Sequence, residues 1–172
     1  MNIVKEREID MSIKLKQNVK TYIIAILIPL AVGIIAALLT RGNMQIYSEV
    51  RMPPLSPPAI LFPIVWTILY ILMGISSAIV WINRENDPNS ADAGLTYYAV
   101  SLFFNFTWSI IFFNFRWFLF SFIWLLFLLY FIVRTVQSYK NVSVVAAYLQ
   151  IPYILWVVFA GYLNLGIWVL NM

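Results

Sequence analysis

Residues 52–81 read MPPLSPPAILFPIVWTILYILMGISSAIVW. Proline fixes φ and has no backbone donor, so Pro53, Pro54, Pro57 and Pro58 cannot lie inside a regular helix. They form either a linker or a stiff piece of architecture. From Ala59 to Ile82 the chain is almost wholly apolar, and about 20 such residues suffice to cross the hydrocarbon core of a bilayer. A proline-rich segment therefore runs directly into a membrane-spanning helix.

Four further stretches have the same character. With the first, the expected spans run approximately from Thr21 to Thr40, Ala59 to Ile82, Leu95 to Phe115, Trp117 to Gln137 and Val142 to Leu170. The chain is 63% hydrophobic and 10% charged, against roughly 45–50% and 25% in soluble domains. This composition predicts an all-α integral membrane bundle of five transmembrane helices. Only Arg116 separates the third span from the fourth, so the chain must turn sharply near Asn114-Phe115-Arg116. Pro152 in the long fifth span predicts a kink or an interfacial start.

Residues 1–20 are charged and of mixed sign, without the small-residue cleavage site of a signal peptide. They are expected to form a cytoplasmic tail, with residues 1–10 open between native sequence and a leader, and Met11 an alternative start. Lys5, Arg7, Lys14, Lys16, Lys20, Arg84, Arg134 and Lys140 fall on one side of a five-span topology. Arg41, Arg51 and Arg116 fall on the other. The excess predicts a cytoplasmic N-terminus and accounts for the net charge of +4 without a nucleic-acid partner, and the lack of a signal peptide fits a bacterial cytoplasmic membrane.

The absence of cysteine and histidine excludes disulfides, thiolate nucleophiles, zinc fingers, His-ligated haem iron and Ser-His-Asp triads. No metal and no cofactor is expected. No span carries a carboxylate or lysine in its core, which argues against a proton-coupled transporter. No glycine-rich filter or charged ring suggests an ion channel. Gly33 with Ala37, and Gly74 with Ala78, have the spacing that lets helices approach closely, first inside the bundle and second at a homodimer seam.

Aromatic chemistry remains, with 7 Trp, 10 Tyr and 13 Phe. Trp81, Trp117 and Trp168, near span ends, fit an interfacial belt. Trp66, Trp108 and Trp156 fall deeper, where an indole N–H needs a partner or a ligand. Phe62, Trp66, Tyr70 and Gly74 recur every four residues and share a face. Asn105 and Trp108 are helix-surface neighbours, continued by Phe112 and Phe113. Trp156, Phe159, Ala160, Leu163 and Asn164 form one stripe. Asn105 and Asn164 are either glue between helices or polar points in a pocket. Converging aromatic faces with a few amides suit a large, flat, apolar ligand.

The block from Met52 to Trp81 resembles the TspO/MBR family, the translocator proteins also called tryptophan-rich sensory proteins. Pro53, Pro54, Ser56, Pro57, Pro58, Trp66, Thr67, Tyr70, Met73 and Gly74 stand in register with that family's pattern. Two further blocks agree: Asn105, Trp108, Phe112, Phe113 and Arg116, and then Pro152, Tyr153, Trp156, Phe159, Ala160, Leu163 and Asn164. The chain departs from the family at Ile46 and Leu55, where tryptophan is frequent, and in lacking both an acidic residue on the fourth helix and the animal cholesterol motif near the C-terminus.

The resemblance implies a domain over 21–172 whose loop 41–58 is a lid on a ligand cavity. It implies a porphyrin ligand, protoporphyrin IX above all, for tetrapyrrole sensing, transport or sequestration, together with membrane lipid and a homodimer. The positions carried over as ligand-binding are Tyr47, Pro53, Pro58, Phe62, Trp66, Tyr70, Asn105, Trp108, Trp156, Phe159, Ala160, Leu163 and Asn164. Some bacterial relatives degrade protoporphyrin with light and oxygen, which would make Trp66 and Trp156 catalytic and leaves open whether the chain is an enzyme.

Overall fold

The computed structural model describes residues 2–172, with side chains from residue 15 onward. The expectations of a leader at 1–10 and of basic side chains at Lys5, Arg7 and Lys14 fall outside the described side chains. Among the described residues the structure is helical, with no strand. It comprises α1 (Asn2–Thr40), α2 (Ile46–Glu49), α3 (Leu61–Ile82), α4 (Pro88–Ser109), α5 (Phe118–Val142), α6 (Val144–Leu149) and α7 (Ile151–Leu170). Five stretches are long and apolar enough to span a membrane: Leu15–Asn43, Leu61–Ile82, Pro88–Asn114, Phe118–Val142 and Val144–Leu170. Large apolar side chains such as Leu27, Ile68, Phe127 and Val158 face outward. In water they would destabilise the fold, whereas in lipid they are matched to their solvent. The protein is a multi-pass integral membrane protein.

The helices close into a ring. α1 packs on α3, α3 on α6 and α7, α7 on α5, α5 on α4, and α4 back on α1. Glycines set the closest approaches. A Cβ at Gly74 would strike Ile26 of α1 and lie 2.7 Å from the Ala25 carbonyl oxygen. Pro29, inside α1, cannot supply the N–H that this carbonyl would take one turn on. A Cβ at Gly33 would overlap the Tyr70 ring. Both small-residue pairs thus place their glycines in contacts inside the bundle, the first of the two roles expected for them.

Several helix ends differ from the expected boundaries. The third span starts at Pro88 rather than Leu95 because Asp87 caps it, accepting from Ser90 N at 3.0 Å, with Pro88 preset in the first turn. The fourth span runs on to Val142, where Ser143 caps α6 by accepting from Ala146 N at 3.4 Å. α1 begins upstream of Thr21. Pro152 resets the helix: α6 ends at Leu149, and α7 starts with Pro152 in its first turn.

α4 ends in a π-helical turn, Ile110–Asn114. Phe115 N bonds Ile110 O at 3.3 Å, and the widened turn lets the consecutive Phe112 and Phe113 both be buried. Arg116 then takes a left-handed φ of 56°, reversing the chain into α5 where the sequence required a turn. At the ends of the bundle, Trp81 carries the Arg84 guanidinium 4.5 Å over its ring, a contact suited to an interfacial tryptophan.

Candidate functional site

The 41–58 segment folds across one end of the bundle and is fastened at both flanks. Asn43 Nδ2 donates to Asn114 Oδ1 at 2.9 Å, and Asn114 Nδ2 donates to the Leu39 carbonyl at 3.2 Å. Arg116 pairs with Glu49 at 2.7 Å. On the opposite flank Asn171 accepts from Arg51 N at 2.9 Å and donates to Arg51 O at 3.0 Å. Tyr162 donates its hydroxyl to the Pro54 carbonyl at 2.8 Å. Ile46 is wholly buried and anchors α2 in the core, which aims Tyr47 inward.

Beneath this segment lies a cavity of about 270 Å³ walled by α1, α3 and α4. Five of the expected ligand-binding residues line it: Tyr47, Phe62, Trp66, Tyr70 and Trp108. No charged side chain does. The wall hydroxyls of Thr40 and Thr67 are taken by helix carbonyls at 2.9 and 2.8 Å. Trp66 stacks on Tyr70 at 5.5 Å between centroids. Burial pushes the Tyr47 phenol above its ordinary pKa, so it stays neutral.

A second space of only about 20 Å³ lies on the far side, lined by Ala160, Leu163 and Asn164 of α7. Tyr47, Phe62 and Trp108 line both spaces, so these three rings are the partition between them. Tyr47 stacks on Phe62 at 5.1 Å and meets Phe113 edge-on at 6.0 Å. Trp108 is fixed, since its Nε1 donates to Asn164 Oδ1 at 3.2 Å.

The two amides act as glue between helices. Asn105 Nδ2 donates to the Tyr70 hydroxyl at 3.0 Å, which sets that ring in the cavity wall. Asn164 Oδ1 accepts from Trp108 and from Ser121 Oγ at 2.9 Å, while its Nδ2 donates to the Phe118 carbonyl at 2.8 Å. One side chain thereby ties α4, α5 and α7.

The remaining expected positions lie elsewhere. Trp156 and Phe159 line an outward-facing groove between α3 and α7. Trp156 meets the edge of Phe62 at 5.8 Å, so Phe62 stands between it and the cavity. Pro53 is buried against Gly166, where a Cβ would lie 2.6 Å from the proline ring. Pro58 is exposed and accepts from Leu61 N at 2.9 Å to start α3. Sequence reasoning missed the α1 wall, formed by Leu30, Gly33, Ala36, Ala37 and Thr40. The Gly33 and Ala37 spacing was its one signal.

Five spans packed in a ring, with an aromatic, uncharged cavity between α1, α3 and α4 under a fastened proline-rich loop, define a class of multi-pass helical membrane protein with an internal apolar pocket. The model described as TspO/MBR family matches residues 25–169. "Tryptophan-rich protein TspO" of Chlorobaculum tepidum is 35% identical over 158 residues, covering 91% of this chain and 99% of that protein. "Translocator protein" of Bos taurus is 32% identical over 143 residues, 83% of this chain and 85% of that one. "Protein CrtK" of Rhodobacter capsulatus is 35% identical over 126 residues, 73% and 78% of the two chains. The chain belongs to the TspO/MBR family.

Proposed function

We propose that this protein binds porphyrins, protoporphyrin IX above all, between its helices and serves tetrapyrrole sensing, transport or sequestration. The observation that carries the reading is the cavity wall of Tyr47, Phe62, Trp66, Tyr70 and Trp108, with no charged group among its lining residues. Aromatic faces supply stacking area for a flat macrocycle without metal ligation. The carboxylates of such a ligand would sit toward the loop end, where Arg41, Arg51 and Arg116 are exposed.

At about 270 Å³ the cavity is smaller than the roughly 300–1,000 Å³ of sites for drug-sized ligands. Binding a macrocycle therefore requires the partition to move. Trp108 is held by Asn164, which leaves Tyr47 and Phe62 as the rings that yield. Their displacement joins the two spaces and removes the ring between Trp66 and Trp156, so that one ligand can touch both. We further propose a cytoplasmic N-terminus, on the distribution of basic residues, and a homodimer.

The test is a titration of purified protein with protoporphyrin IX, in the dark and in light, following tryptophan emission and the porphyrin spectrum in wild type, Trp66→Phe and Trp156→Phe. Saturable quenching with a stable spectrum is expected. Loss of the porphyrin spectrum in light that needs both tryptophans would assign degradation instead, and absence of saturable quenching refutes porphyrin binding.

A further inference from the structure

On the side of Trp66 away from the loop, the bundle interior is unexpectedly polar. Tyr98 of α4, Tyr139 of α5 and Tyr153 of α7 are 6%, 0% and 1% exposed, and Gln150 is 1% exposed. Their hydroxyls, and Gln150 Oε1, meet no hydrogen-bond partner in the protein. A buried polar atom left unpaired is costly, and native interiors rarely concentrate several such atoms in one region.

These groups adjoin one another. Tyr153 meets the edge of Trp66 at 6.1 Å, and Trp66 stacks on Tyr70, so Tyr153 starts directly below the cavity. It follows Gln150 by one helical turn. Gln150 Nε2 donates to Ser76 Oγ at 3.2 Å, and Ser76 donates onward to the Ala146 carbonyl at 2.7 Å. Tyr98 stands one turn beyond Gly94, whose absent Cβ makes room for the Tyr139 ring. Tyr98 approaches Ser77 and Tyr153 approaches Ser101 closely enough for a weak polar contact, but neither pair reaches full hydrogen-bond geometry. Both serines spend their own protons on helix carbonyls, at 3.1 and 2.7 Å, and offer only lone pairs.

We propose that Tyr98, Tyr139, Tyr153 and Gln150 form an internal hydration site, a column of bound water running from below Trp66 toward the end of the bundle where α5 meets α6. The chemistry selects the ligand. Two of the three hydroxyl donors stand beside serine lone pairs, the third lies near Tyr98, and one amide oxygen is unpaired; water both donates and accepts, so it can serve each of them. The set is uncharged and offers no carboxylate to neutralise a cation. It therefore takes small neutral donor-acceptor molecules and excludes bare ions.

The test is a crystal structure of the full chain that resolves ordered water, combined with thermal unfolding of Tyr98→Phe, Tyr139→Phe and Tyr153→Phe. Water within hydrogen-bond distance of at least two of the four atoms is expected. At least two of the substitutions should lower Tm, by about 2–4 °C each, because each removes an anchor for bound water. If the interior is dry, deleting a hydroxyl removes an unsatisfied donor, and Tm rises or holds. A structure with no water at any of the four atoms overturns the proposal whatever the melting data, and so do fewer than two lowered Tm values.

Discussion

Replacing Tyr47 by alanine tests whether α2 plugs the cavity. In the closed chain the Tyr47 ring stacks on Phe62 at 5.1 Å and meets Phe113 at 6.0 Å. An aromatic pair contributes about 0.5–1.5 kcal/mol beyond the area it buries. Losing both pairs therefore weakens the closed arrangement by about 1–3 kcal/mol, which raises the open population about 5- to 150-fold. If opening limits entry, the association rate for protoporphyrin IX rises by that factor. On the porphyrin-binding proposal the affinity changes less, because the alanine also gives up a ring available for stacking on the ligand. Stopped-flow tryptophan quenching reads both quantities, and the wild-type rate should level off as porphyrin concentration increases. A rate that is linear in concentration and equal in wild type and Tyr47→Ala would refute the reasoning.

The Glu49–Arg116 pair is a little under half exposed on both sides, so it contributes at most about 1 kcal/mol. Glu49→Gln should speed porphyrin association by up to about fivefold at low salt, with the difference vanishing near 1 M salt, where the Debye length falls to about 3 Å; a salt series of association rates checks it. Asn164→Leu strands the Trp108 indole N–H and removes the Ser121 acceptor, at a cost of about 1–3 kcal/mol. Thermal unfolding should register this as a clear fall in Tm. Hydrogen bonding from Ser90 N holds the Asp87 carboxyl below its usual pKa. A lowered folded pKa adds stability above the unfolded value of about 3.9. The Tm advantage of wild type over Asp87→Ala should therefore be full at pH 7 and shrink as pH falls from about 4 through the folded pKa, toward what a neutral carboxyl acceptor retains. A difference that did not change with pH would count against a charge-assisted cap.

The spans were readable because a bilayer demands long apolar runs and little else in this chain could supply them. Their ends were harder. Asn89, Ser90 and Asp92 make the start of α4 look like a loop, although Asp87-Pro88 is a sound capping signal. The four-residue recurrence of Phe62, Trp66 and Tyr70 exposed one cavity wall, since a single helix fixes that spacing. The α1 wall was not legible, because a helix apolar on every side gives no periodicity from which to choose a face. Trp156 shares a stripe with Ala160 and Asn164, yet Phe62 stands between it and the cavity. Which ring fills a shared space is decided by tertiary packing, and so is the inward aim of Tyr47 from its loop.

The π-helical turn at Ile110–Asn114 also makes residue number part of how this protein works. The wide turn holds one residue more than an α-helical turn. Deleting a single codon within it would restore regular α-helical spacing, and its hydropathy would hardly change. Asn114 and Arg116 would keep nearly their present bearing on Asn43 and Glu49, but the room that lets the consecutive Phe112 and Phe113 both be buried would be lost. Such a deletion would leave a chain that still inserts in the membrane and fastens its loop, with its aromatic packing beneath that loop disturbed.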